Sequence, residues 1–325
     1  MRIVDFTYEH IETAVRIARQ SYEAERSFVS MLPAVEEFPD LRPYAENKLG
    51  VAAFEEDEMV GYLCAVPPFS HAFGSTDAVG VFSPLHANGT VPENRAKIYA
   101  RMYQAAGDKW AKAGASSHAV CLYAHDKTGQ EQFFRQGFGL RCIDAIRGMD
   151  EIETGPGLDS GMSCIAACEF AELRPEEYIN VLPLDHMLDA HMAASPAFIL
   201  RPSATMASFA DMAARSNSRY FAARNQGRII AFIKVERGGE TFICETPNYM
   251  HITGAYCLSE YRGKKLALHL LNFVIRTLKG EGYTRLGVDF ESINPTAYGF
   301  WLKYFTAYTH SVARRIDEHA ITKRQ

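Results

Sequence analysis

The stretch Arg262-Gly263-Lys264-Lys265-Leu266-Ala267-Leu268 sets three cations around a glycine, directly ahead of an apolar-periodic run. A helix N-terminus has about four unpaired amide N–H groups and a partial positive charge, so its backbone alone can hold a phosphate. Arg262, Lys264 and Lys265 add charge to that end, and the chemistry this set supports is capture of a phosphate or pyrophosphate, mainly by the amides from Gly263 to Leu268. Ala267, Leu270, Leu271, Val274 and Leu278 recur at three or four residues, which predicts one buried helical stripe beginning where the phosphate would sit. A solvated basic turn before an ordinary helix would use the same residues without a ligand. The flanks favour a ligand: the strand-like HITGAYCL runs into the turn and LGVDF follows the helix, a strand-turn-helix-strand unit that aims amides at the end of a sheet.

Other conspicuous residues read more plainly. His125-Asp126 lacks a third partner at a recognisable spacing and fits a strand-end turn. Cys164 and Cys168 have no partners that would complete a metal site, and the seven scattered cysteines fit reduced thiols rather than a disulfide frame. Phe133-Phe134 and Phe300-Trp301 fit a core-facing helix better than a base-stacking surface.

The elements that must position the turn occur twice. VAAFEEDEMVGYLCAV (51–66) lies over FAARNQGRIIAFIKV (221–235), and both read as hairpins. GVFSPLHANG (80–89) lies over GAYCLSEYRG (254–263), HAVCLYAHD (118–126) over TRLGVDFES (284–292), and QFFRQGFG (132–139) over GFWLKYFT (299–306). Each half is expected to run strand, helix, hairpin, strand, turn, helix, strand, helix. DEIETGPGLDSG, rich in Gly, Asp and Glu, is the linker signal, giving a first domain at 1–150, a linker at 151–162 and a second domain at 163–325. In the first copy the turn reads HANGTVPENRAK, with Asn88 where Arg262 would be and Pro92 lacking an amide donor, so this copy is expected to bind no phosphate and to wall a neighbouring pocket instead.

A length of 325 residues suits two cores, and a net charge of −5 argues against a chain-wide nucleic-acid surface. MRIVDFTYEH lacks the basic and apolar regions of a leader, and no run reaches 18 apolar residues, so a cytoplasmic protein without membrane partners is expected.

With these residues in view, the chain resembles the GNAT superfamily of acyl-CoA-dependent acyltransferases. Its Gln/Arg-x-x-Gly-x-Gly/Ala signature is matched by Arg262 and Ala267, with Lys265 where Gly is usual, and NPTAYGFWLKYF supplies Asn294, Ala297, Trp301 and Lys303 in an N-x-x-A-x-x-x-aromatic-x-K pattern. The resemblance implies an α/β protein of two tandem GNAT-like domains, each a mixed twisted sheet flanked by helices. It further implies an N-acetyltransferase moving an acetyl group from acetyl-CoA, as cosubstrate, to an amine on a small molecule or peptide. Ala255, Tyr256 and Cys257 match the strand that pairs with the pantetheine arm and turns an amide toward the thioester carbonyl. For the general base, Glu245 and His251 are nearest in sequence, His251 sharing a strand face with Ala255 and Cys257 at period two. Trp301 stands where members commonly have a proton-donating Tyr, which makes Tyr304, three residues on, the candidate donor. Lys265 and Trp301 also favour an alternative, a CoA-binding regulatory pseudoenzyme. A transferase using aminoacyl-tRNA is disfavoured by the CoA-type turn and the acidic balance.

Overall fold

The fold is seen in a computed structural model, which describes residues 1–75, 77–155, 166–215 and 217–322. The first half runs β1 (Arg2–Asp5), α1 (Ile11–Phe28), α2 (Arg42–Glu46), β2 (Val51–Glu55), β3 (Glu58–Leu63), β4 (Gly80–Ser83), β5 (Asn88–Thr90), α3 (Arg95–Lys112), β6 (Ser117–Tyr123), α4 (Lys127–Arg135) and β7 (Gly139–Gly148). The second half runs β8 (Cys168–Glu172), α5 (Leu182–Ala193), α6 (Met206–Arg215), β9 (Arg219–Asn225), β10 (Arg228–Glu236), β11 (Tyr249–Cys257), α7 (Leu266–Gly280), β12 (Arg285–Glu291), α8 (Pro295–Trp301), β13 (Thr306–Ala307) and β14 (Thr309–Arg315). The order anticipated from the repeat therefore appears twice, as mixed sheets flanked by helices. The expected linker lies outside the described residues from position 156 onward, as does Cys164.

The halves are joined by their last strands. β7 of the first half pairs with β12 of the second, from Arg285↔Gly148 to Glu291↔Cys142, and β14 of the second pairs with β6 of the first, from Thr309↔Tyr123 to Arg315↔Ser117. β14 and β7 also pair with each other, so one sheet runs β4-β6-β14-β7-β12-β11-β10-β9-β8, while β1-β2-β3-β5 form a smaller one. Strand exchange buries a common core: Tyr22, Leu32 and Tyr123 pack with Ile243, Tyr249 and Tyr308.

In each half one strand pairs with its neighbours over only part of its length. β12 follows β11 in parallel only from Tyr249 to Ile252, whereas β10 pairs with it on to Cys257. Beyond Ile252 the two strands part and leave a wedge-shaped cleft. In the first half the same splay separates β5 from β6, but it is filled. Asn88 is buried in β5, where its Nδ2 donates to the Cys121 carbonyl at 3.0 Å, and the Tyr99 hydroxyl donates to its Oδ1 at 3.2 Å. Asn88 is thus a strand residue bridging the cleft and not the counterpart of Arg262 in a turn.

Two further positions correct the periodic reading. Val235 faces Ile252 and the adjacent Lys234 faces Gly254, leaving Thr253 as an extra residue. Such a bulge reverses the alternation, so His251 and Ala255 do not share a face. On α7, Leu266, Leu268, Leu270, Leu271, Val274, Ile275 and Leu278 are buried, whereas Ala267 is half-buried and turned to the cleft. The start of the expected linker docks along this helix: buried Asn272 donates to the Ile152 carbonyl and accepts from its amide, and Lys265 Nζ donates to the Thr154 carbonyl at 2.5 Å.

Gly287 of β12 marks the tightest approach near the cleft. A Cβ there would fall 1.8 Å from the Tyr249 hydroxyl and 2.7 Å from His251 Nδ1. Both neighbours are buried in the shared core. Gly287→Ala is expected to lower unfolding free energy by about 3 kcal/mol, the upper end for an overpacked core. Denaturant titration measures this, and an unchanged midpoint would refute it.

Candidate active site

The cleft between β11 and β12 opens into two cavities of ≈ 540 Å³ each, and Leu188, Ala255, Asn294, Ala297 and Trp301 line both. One extends over the N-terminus of α7 and the other lies between the halves. Volumes of this size suit a small molecule or part of a cofactor.

The helix-side cavity is built from the turn that the sequence singled out. Gly263 has φ +75° and Lys265 has φ +62°, so the chain passes through the left-handed region twice before the helix begins. A Cβ at Gly263 meets nothing within 4 Å, so glycine is required there by its dihedral rather than by crowding. Lys265 accepts a conformation that costs a non-glycine residue about 1 kcal/mol, and its tether to Thr154 helps to hold it there. The first intrahelical bond runs from the His269 amide to the Lys265 carbonyl at 3.0 Å. The amides of Leu266, Ala267 and Leu268 precede it, forming a phosphate-sized cradle at the positive end of the helix. Arg262 braces the turn: its Nε donates to the Cys257 carbonyl at 2.9 Å, and its guanidinium lies 5.1 Å from the Tyr256 ring centre.

Ala255, Tyr256, Cys257, Arg262, Gly263, Lys265, Leu266, Ala267 and Leu268 all line this cavity, and so do Asn294, Trp301, Lys303 and Tyr304. Lys264 does not; it is exposed, with its ammonium 5.7 Å from the Tyr261 ring centre. Asn294 caps α8, accepting from the Thr296 and Ala297 amides at 3.2 and 3.3 Å. It is also 3.2 Å from His191 Nε2, which ties α8 to α5. Trp301 is buried against Phe300 and Phe305, and Tyr304 sits in the turn after α8 with its ring edge toward Phe300.

The second cavity has a different character. From the first half, Phe69, Phe73 and Phe82 form a T-stacked aromatic wall, Phe69–Phe73 at 5.6 Å and Phe73–Phe82 at 6.4 Å. His71 and Phe73 have φ of 57° and 53°, strained values for such residues. Arg141 holds the loop by donating from Nη2 to the Phe73 carbonyl at 2.6 Å, while its Nε is 2.5 Å from Glu291 Oε2.

From the second half come Glu240, Asp289 and Glu291. Glu240 is open to water, yet it is crowded by the cleft walls; this partial desolvation, with the charges of Asp289 and Glu291, pushes its carboxyl up to about 7. Asp289 Oδ1 is 2.8 Å from Nε2 of His251, whose Nδ1 is 3.5 Å from the Cys244 sulfur. Burial would press the imidazole down, but Asp289 and Cys244 outweigh it and hold its pKa well above the usual histidine value. Beside this pair, opposite Asp289 in the ladder, Asp144 is fully enclosed; burial and the nearby Glu240 and Asp289 push its pKa well above the usual carboxylate value.

Of the two base candidates, His251 is fully buried and reaches neither cavity except through Asp289, and Glu245 is exposed on the short turn Phe242–Glu245, outside both linings. Glu240, in the Gly-Gly-Glu turn after β10, was invisible to pattern because turn residues carry no period. Its signal was only proximity: it follows the hairpin of the copy that bears the basic turn. Among the described residues no three His, Cys, Asp or Glu side chains gather as a metal site, and no helix is long and apolar enough to cross a membrane.

Comparison with known proteins follows this geometry. Residues 184–305, within the second half, match the model of the Acetyltransferase (GNAT) family. Over 97% of its length the chain superposes on a GCN5-related N-acetyltransferase from Sphaerobacter thermophilus, with 12% identity, 95% of that chain covered and a TM-score of 0.58. It also superposes on a GCN5-related glucosamine N-acetyltransferase region of a fungal multi-domain GH3 β-N-acetylglucosaminidase, with 11% identity, 96% of this chain and 38% of that one covered, and a TM-score of 0.53. The GNAT fold thus runs through both halves. No curated protein matches the chain in sequence.

Proposed function

We propose that the protein is an acetyl-CoA-dependent N-acetyltransferase acting on an amine. In this reading, residues 163–325 bind the cosubstrate, while residues 1–150, joined through 151–162, lack a cofactor cleft and wall the acceptor. The observation that carries it is the meeting of two unlike cavities at Ala255 and Trp301, one lined by the backbone at the N-terminus of α7 and the other presenting Glu240. When bound, acetyl-CoA supplies the acetyl group.

The chain's own residues divide the remaining work. Amides from Leu266 to Leu268 hold the pyrophosphate, and the free edge of β11 at Ala255, Tyr256 and Cys257 orients the pantetheine arm and turns an amide dipole toward the thioester oxygen. Glu240 accepts a proton from the acceptor ammonium, whose own pKa of about 10 would otherwise keep the nitrogen blocked. Asp289, held in place by His251, steadies the ammonium beside Glu240. Tyr304 is the donor available to the departing sulfur, and a thiol of pKa about 8.5 also leaves without one.

Calorimetric titration with acetyl-CoA should give one site per chain, because Asn88 and Tyr99 occupy the first cleft. Gly263→Val should weaken that binding by about tenfold or more, since a β-branched residue at positive φ costs upward of 1.4 kcal/mol, whereas Lys264→Ala should cost at most about 1 kcal/mol. Wild-type protein should release CoA with some members of a panel of polyamines, amino acids, aminoglycosides and peptides. Two equivalent sites, or normal binding by Gly263→Val, would refute the assignment of the cradle; tight binding without transfer to any amine would favour a regulatory CoA-binding protein.

A further inference from the structure

Among the described residues, the charged side chains around the inter-half cavity engage one another in pairs, leaving one of each sign. Arg141 is spent on Glu291, with Nη2 also donating to its Oε1 at 3.0 Å. Asp289 is engaged by the His251 ring beneath it, Oδ1 to Nε2 at 2.8 Å. What remains is Glu240 on one side and Arg201 on the other. Arg201 follows α5 in chain order, its side chain is 48% exposed, and its nearest carboxylate contact is 3.8 Å to a Glu291 oxygen that Arg141 already holds. Its guanidinium therefore keeps donors to offer a carboxylate in the bidentate manner that arginine favours.

Resting on the acetyltransferase reading above, we propose that the acceptor is a free α-amino acid with an apolar or aromatic side chain: its ammonium lies at Glu240 and Asp289, its carboxylate at Arg201, and its side chain against Phe69, Phe73 and Phe82. Three features of the site agree on this ligand. The aromatic wall is rigid, because Phe73 is fixed through its carbonyl by Arg141 in a backbone conformation with φ 53°. The segment bearing Arg201 is itself seated on that loop, where Ile199 packs so close to Gly74 that a Cβ there would lie 2.7 Å away. Carboxylate recognition and side-chain recognition are thereby coupled. A polyamine, by contrast, would set a second cation beside Arg201 and against phenylalanine rings with no carboxylate left unpaired.

The step itself balances simply. The acceptor ammonium gives one proton to Glu240, the freed amine forms the new C–N bond as the C–S bond breaks, and the second N–H proton passes to the departing sulfur, directly or through water, so that CoA leaves as the thiol and nothing is oxidised.

The test measures CoA release from acetyl-CoA with amino acids and their decarboxylated partners, such as L-phenylalanine with phenethylamine and L-leucine with isopentylamine, plus spermidine. Wild-type protein should prefer the carboxylate-bearing member of a pair by tenfold or more in kcat/KM. Arg201→Ala should raise KM for that member about 10- to 100-fold with little change in kcat, leave the decarboxylated partner unaffected and preserve the melting temperature. Arg201→Lys should recover part of the loss. Equal or better use of the decarboxylated partners or of spermidine, or an equal loss for both members in Arg201→Ala, would overturn the inference while leaving the transferase reading intact. Transfer to no amine at all would remove both.

Discussion

Glu240→Gln should lower kcat by 10²- to 10⁴-fold, the usual contribution of a positioned general base, while acetyl-CoA affinity stays near the wild-type value because Glu240 lines only the inter-half cavity. The pH dependence carries more information than the size of the effect. With its carboxyl raised to about 7 by desolvation and by Asp289 and Glu291, Glu240 holds a proton below that pH and cannot accept another. Wild-type activity should therefore fall on the acid side of pH 7, and that limb should vanish in the glutamine variant. Stability moves the opposite way. A carboxyl whose folded pKa exceeds its unfolded value favours the fold below the unfolded pKa and loses that contribution as pH rises through 7, so Glu240→Gln should flatten the decline in melting temperature from pH 5 to 8. Because Glu240 is open to water, the effect should be small. A variant within threefold of wild type, or one that keeps the acid limb, would exclude Glu240 as the base.

Residues 163–325 expressed alone should fail to fold, however complete their motifs. Without the first half, β14 loses both neighbours and β12 loses β7, leaving unpaired ladder groups along each. Tyr308 and Val312, fully buried in the intact chain, would be exposed with them. The expected result is a fragment without a cooperative thermal transition or acetyl-CoA binding, and recovery of both on co-expression with residues 1–155. Cooperative melting and CoA binding by the isolated fragment would show that the exchanged strands are dispensable.

What could be read from the sequence was whatever the chain writes contiguously. The glycine-centred basic turn occupies seven consecutive residues, and its glycine, its cations and the helical stripe after it could be read without knowing the fold. The repeat was legible for the same reason, since each copy presents its strands and helices in one order. The inter-half cavity joins distant residues: Arg141 to Glu291 across two halves, His251 to Asp289 across parallel strands, and Phe73 to Arg141 through a carbonyl. None of these pairings has a local period. The bulge at Thr253 shows how one extra residue defeats a face assignment that was otherwise sound, because every later side chain is reversed. Asn88 was misplaced for a related reason. Aligning loops by length put it in a turn, while its buried amide plugs the cleft between strands.

The exchange of last strands also governs how this protein can be made. Residues 117–123 await a partner at 309–315, about 190 positions downstream. At about 5–20 residues per second, a ribosome needs roughly 10–40 s to deliver it. During that interval the first half is complete in sequence but has an open strand edge on β6, and β7 waits in turn for β12. Closure comes only when β14 emerges, so the nascent protein is most exposed to misassembly, and to chaperone capture, after its first half has already been synthesised.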